Sequence, residues 1–138
     1  MVHWLAKKDV KKFRDFYRSF ASGSTIASPG GDFTLTVAQV LSGRFDVDPG
    51  AVAAMTTPTV ALFEANTEVV HHLRHHAHVF LELIVYNSGG ATEDITVTAG
   101  TGFTVKGNAV IPDGACAILR FCRDSSSAWS VYVIQGNA

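Results

Sequence analysis

The sequence predicts a mainly β protein, a β-sandwich of jelly-roll type, with an N-terminal amphipathic helix and one short internal helix. Three observations predict it. From residue 79 onward, short apolar or alternating runs are broken by turn chemistry at intervals of about eight to twelve residues. Residues 4–20 carry their apolar side chains at helical spacing. A Ser/Gly/Pro stretch, ASGSTIASPGGD, separates that segment from the rest. Residues 1–31 therefore read as a docking arm with its linker, and residues 32–138 as the β-sandwich domain.

The elements follow in order. In WLAKKDVKKFRDFYRSF, Val10, Phe13, Tyr17 and Phe20 form one stripe with Phe16 beside it, and charges fill the opposite side. FTLTVAQVL (33–41) alternates at its start and predicts a strand. SGRFDVDPGAV predicts turn, short strand, turn. PTVALFEA (58–65) predicts one short helix, with Pro58 in its first turn and Thr57 as N-cap. VFLELIVYN (79–87) predicts a central strand, closed by the turn residues NSGG. DITVTAG is a further strand, and TGFTVKGNAVI gives two very short ones about Gly107-Asn108. ACAILRFCR (115–123) and AWSVYVIQ (128–135) are the last two strands. A strand as continuously apolar as 79–87 predicts cover on both faces. The second face would meet a sister subunit, in an oligomer of closed cyclic symmetry.

Composition bounds the classes. With 138 residues, 47% of them apolar and 17% charged, the chain suits one domain with its own core and not a disordered chain. No apolar run approaches the 18 or so residues of a membrane span. The N-terminal MVHWLAKKDVKKF lacks the apolar stretch of a secretory signal. Cys116 and Cys122 fall in one predicted strand, roughly 20 Å apart at about 3.3 Å per residue. That is too far for a mutual disulfide. Both read as reduced thiols, which fits intracellular assembly.

The net charge of −1 is unevenly spread. Lys7, Lys8, Lys11, Lys12, Arg14 and Arg18 stand against Asp9 and Asp15, six positive charges against two negative, a local +4. The remainder therefore carries −5. A basic arm on an acidic body is suited to docking on something acidic. Spacing alone leaves four readings of the helix open: packed on its own domain, docked on a neighbouring subunit or shell, laid on a membrane surface, or bound to nucleic acid.

No pattern of catalysis emerges. The glycines of AGTGFTVKG sit in a β context with no helix after them, unlike a phosphate loop. The serines of DSSS lack a base and an elbow motif. Asp46 with Asp48, and Glu93 with Asp94, read as solvated loop charges. The sequence predicts no enzyme, no cofactor and no metal. The densest polar motif is HHLRHHAH, with His71, His72, His75, His76 and His78. As a helix it would place His71 with His75, and His72 with His76, one turn apart. As an extended chain it would place His72, His76 and His78 beside Arg74, whose cation disfavours a tight metal site. The readings are a polar lead-in to the central strand, a subunit-interface cluster about a symmetry axis, a metal site shared between subunits, or a catalytic group. An interface cluster predicts looser assembly below about pH 6, because histidine titrates near pH 6.5.

The second half resembles a β-sandwich module of virion structural proteins of tailed phages and some large viruses. The residues that carry the resemblance are Asn87-Ser88-Gly89-Gly90, Ile95–Gly102, Gly107–Ile111, Ala117–Arg123 and Trp129–Val133, with PTVALFEAN upstream. It covers roughly residues 52–135. HHLRHHAH and the basic helix depart from the shared pattern. The resemblance implies a capsid decoration (cement) protein on the capsid exterior, assembled in the host cytoplasm. It implies a homotrimer that binds the major capsid protein, with neither nucleic acid nor membrane as partner. Trp4, Leu5, Phe13, Phe16, Tyr17 and Phe20 would anchor on the shell. Lys7, Lys8, Lys11, Lys12, Arg14 and Arg18 would meet its acidic surface. The same module would also suit a tail-fibre, spike or baseplate component. A small carbohydrate- or metal-binding jelly-roll protein is the alternative of another class.

Overall fold

A computed structural model describes residues 24–26, 29–74, 80–125 and 128–136. The predicted helix of residues 4–20 and its contact residues lie outside them, as do His75, His76 and His78. Strand follows strand in the order β1 (Ser24–Ile26), β2 (Phe33–Thr34), β3 (Arg44–Val47), β4 (Ala53–Thr56), β5 (Leu81–Asn87), β6 (Ile95–Thr98), β7 (Phe103–Gly107), β8 (Val110–Ile111), β9 (Cys116–Arg123) and β10 (Trp129–Gln135). Helices α1 (Val37–Leu41), α2 (Val60–Ala65) and α3 (Thr67–Arg74) are inserted among them. The protein is mainly β, in two mixed sheets. The order is β1-β3-β5-β9-β10-β7 in the six-stranded sheet and β2-β4-β6-β8 in the four-stranded one.

From β1 to β9 the chain changes sheet after every strand. From β3 to β6 each strand lies beside the one two places earlier, pointing the same way. Hence β1, β3 and β5 are mutually parallel neighbours, and so are β2, β4 and β6. Among the described residues, only β9 and β10 form a hairpin within one sheet. Of the eight pairings among the described residues, five are parallel. A jelly roll is built from antiparallel strands, and these sheets depart from that expectation. Turn residues show where the chain bends, not whether it returns to the sheet it left.

One core lies between the sheets. Phe45, Val47, Leu83, Val85, Leu119 and Val131 enter it from the six-stranded sheet, and Met55, Ile95, Val97 and Ile111 from the other. Phe63 of α2 adds a large plug: its ring stacks on Phe121 at 5.2 Å and meets Phe103 edge-on at 5.2 Å. Such aromatic pairs add to their area burial.

Three local expectations are corrected. FTLTVAQVL is a strand only at Phe33–Thr34. Thr36 then caps α1, accepting from the Gln39 N–H at 3.2 Å while the Gln39 side chain accepts from the Thr36 N–H at 2.8 Å. This capping box outweighs the β-branched run. For α2 the N-cap is Thr59, not Thr57. Thr57 is buried, and its hydroxyl accepts from the Gly100 N–H at 2.8 Å. At Gly100 a Cβ would come within 2.3 Å of the Thr57 carbonyl oxygen, so only glycine allows that approach. The one expected internal helix becomes three among the described residues. Asn66 makes the third possible, its side chain capping α3 through the N–H groups of Glu68 and Val69. The sheet also reaches into the expected linker, since Ser24–Ile26 pair with β3.

Asn87 ties the two sheets. Its side chain is fully buried at the end of β5. Its Nδ2 donates to the carbonyls of Glu93 at 2.9 Å and Ile111 at 3.1 Å, and its Oδ1 accepts from the Gly89 N–H at 2.9 Å. Asn87→Ala would strand those three backbone groups. The expected cost is about 3 kcal/mol in urea denaturation, against less than about 1 kcal/mol for Asn108→Ala, which loses one exposed bond. Equal midpoints for the two variants would contradict the tie.

Candidate contact face

The inner sides of β5, β9 and β10 are committed to the core. Strand periodicity therefore sends every second residue outward. On β5 the outward residues are Glu82, Ile84 and Tyr86. On β9 they are Cys116, Ile118, Arg120 and Cys122, and on β10 Tyr132 and Ile134.

Register aligns these into rows. Arg44 pairs with Ile84, Ile84 with Ile118, and Ile118 with Ile134. Three isoleucines thus lie side by side across three strands on the outer face. Ile84 is 47% exposed and Ile134 40% exposed. Tyr86, at 38%, sits in the next row opposite Cys116. Isolated exposed apolar side chains are ordinary. A contiguous row on a sheet marks a surface that something covers.

The other flank is charged but internally paired. The Arg120 guanidinium donates twice to Glu82 Oε1, at 2.8 and 2.6 Å, and lies 4.2 Å from the centre of the Phe80 ring. Lys106 reaches Asp124 at 3.3 Å and the Tyr132 hydroxyl at 3.2 Å. Ser130, buried behind them, donates its hydroxyl to the same Asp124 oxygen. That bond, with the one from Lys106, holds the Asp124 carboxyl below its ordinary range. The Tyr132 and Asp124 contacts raise the Lys106 ammonium. Beyond the isoleucine row, the Arg44 hydrogen bond lowers Asp46. Burial pushes the Cys122 thiol up, while Cys116 is exposed. Both cysteines are free thiols on the same face of one strand.

Of the site residues singled out from sequence, only His71 and His72 lie among the described residues, and neither is on a strand of this face. His71 and His72 stand on the last turn of α3, and the other three histidines of the cluster and the whole arm fall outside the described residues. The sequence did carry a trace of the face, because LELIVYN and CAILRFCR are apolar at both parities. What it lacked was the register that lines up Ile84, Ile118 and Ile134. Among the described residues no group of three or more His, Cys, Asp or Glu is placed to hold a metal ion. No helix among them is long and apolar enough to cross a membrane. Comparison with protein families, curated proteins and solved structures found no match to this chain.

The Asp124 contacts predict a pH effect. A carboxyl lowered by folding contributes stability that is present above its unfolded value and is lost as pH falls through the folded one. Ser130→Ala removes the largest cause of the lowering. The Asp124 carboxyl should then titrate at higher pH in an NMR titration, nearer the ordinary carboxylate range. An unchanged midpoint would assign the lowering to Lys106 instead.

Proposed function

We propose that this protein is a virion structural protein, a capsid decoration protein that seats on the outside of a shell and stabilises it by adding buried area across subunit joints. The observation that carries the reading is the exposed isoleucine row on the six-stranded sheet, a contact surface with no chemistry of its own. The resemblance stated above supports it, and its motifs occupy framework positions. Asn87 begins the N-S-G-G turn and ties the sheets. Gly107 lies against the Val133 carbonyl at a left-handed φ of 94°. In this reading the two sheets are the sandwich of the virion module.

The roles divide by chemistry. The arm and the sheet lie on the side turned to the shell, where the basic side chains of the arm speed encounter with acidic capsid protein. Three copies join through their bodies, and the segment 71–78 lies at the joint. Two measurements test the reading. The chain should be present in purified virus particles, and shells stripped of it should disassemble at lower temperature. Particles that lack the chain would overturn the proposal, and its presence only on tails would move it to the fibre or baseplate class. In light scattering the free protein should have three times the chain mass at pH 8 and less at pH 5, where the histidines are charged. A monomer at both values would remove the trimer.

A further inference from the structure

The outer face of the six-stranded sheet lacks a partner among the described residues, and the chain itself points to one. Residues 1–23 precede β1, which forms the edge of that same sheet. Ser24 pairs with Phe45, one residue beyond Arg44, and Arg44 pairs with Ile84. The chain thus enters the sheet level with the isoleucine row. Only Ala21, Ser22 and Gly23 separate Ser24 from Phe20. That tether is too short to carry the preceding segment far from its own sheet.

The dimensions agree. From β1 to β10 there are four strand spacings, about 19 Å at about 4.8 Å each. A helix over residues 4–20 is about 26 Å long at 1.5 Å per residue. It would cross the whole row. The chemistry also agrees. Val10, Phe13, Tyr17 and Phe20 make one apolar stripe, and the row offers Ile84, Ile118 and Ile134. Parallel strands normally have both faces covered. In this sheet β1, β3 and β5 are parallel, and among the described residues the core closes the inner face of β3 and β5.

We propose that the N-terminal segment 4–20 folds as a helix across the outer face of its own sheet, with its aromatic stripe seated on the Ile84–Ile118–Ile134 row. Its basic side then faces outward. The segment is divided between two tasks. Val10, Phe13, Tyr17 and Phe20 hold it to the body, and Lys7, Lys8, Lys11, Lys12, Arg14 and Arg18 are displayed to an acidic partner. The inference rests on the reading of that face as a contact surface. It does not depend on the partner being a capsid.

A thiol on the row tests the seating. In a Cys116→Ser, Cys122→Ser background, Ile118→Cys places a reporter in the middle of the row. Its alkylation rate is compared between the otherwise unchanged full chain and a full chain carrying Phe13→Ser, Tyr17→Ser and Phe20→Ser. The seated helix should slow alkylation at least about tenfold, corresponding to a cover held by about 1.4 kcal/mol. The slowing should persist when the protein is diluted a hundredfold. Equal rates in the two chains overturn the proposal. Protection that disappears on dilution also overturns it, and gives the face to a second copy. The native Cys116, alkylated in chains with no engineered cysteine, provides a second readout that needs no change to the sheet. The experiment uses no shell, so its failure and the failure of the decoration reading are separate results.

Discussion

Everything in this fold depends on satisfying the backbone where the chain crosses from one sheet to the other. A chain that changes sheet after nearly every strand must turn repeatedly beside a dry core, where an unpaired amide or carbonyl is costly. Asn87 answers this at the end of β5, with one buried amide serving Gly89, Glu93 and Ile111. Thr57 does the same after β4, where its hydroxyl accepts from Gly100 across 43 residues of sequence. The Asn87 bond to Ile111 joins the two sheets, and the Thr57 bond to Gly100 joins the ends of neighbouring strands of one sheet, each with a fixed length and direction.

The crossings explain the mixture of strand directions. Coiling around the core makes β1 through β6 parallel within each sheet, whereas the late hairpin of β9 and β10 is antiparallel. The two regimes meet between β5 and β9, at the centre of the larger sheet. A central strand must be apolar inward. Here β5, β9 and β10 are also apolar outward at one level, where Ile84, Ile118 and Ile134 coincide. The face is a product of register.

That history separates what could be read in the sequence from what could not. The strands from Leu81 to Gln135 were legible because their apolar runs end in Gly, Asn, Pro and Asp, whose turn preferences are local. Parallel pairing was not legible, because it depends on which of two sheets accepts the next strand. Residues 33–41 misled because Phe33, Leu35 and Val37 alternate as a strand does, although Thr36 and Gln39 have capping-box spacing. In α3, HHLR is polar enough to read as a connection, and the helix is fixed instead by Asn66 and Val69, its cap and its buried anchor. The contact face was half legible: apolar residues at both parities were visible, but their alignment across strands was not.

The electrostatics of the face limit how it can recognise anything. Its described charges are matched in pairs, Arg44 with Asp46, Arg120 with Glu82 and Lys106 with Asp124. Surface pairs of this kind contribute little stability, but they cancel one another's field beyond the Debye length, about 8 Å at physiological salt. An approaching partner therefore meets an apolar strip bordered by neutralised charge, and nothing there steers it. Burial can hold a partner on such a surface but cannot select it at a distance. In this chain the unbalanced charge lies elsewhere, +4 within residues 7–18 against −5 in the rest. Attraction and adhesion are thus coded in different segments, and a contact that uses both needs the arm and the sheet face next to one another. The position of β1, at the edge of that sheet and directly after the arm, supplies that proximity.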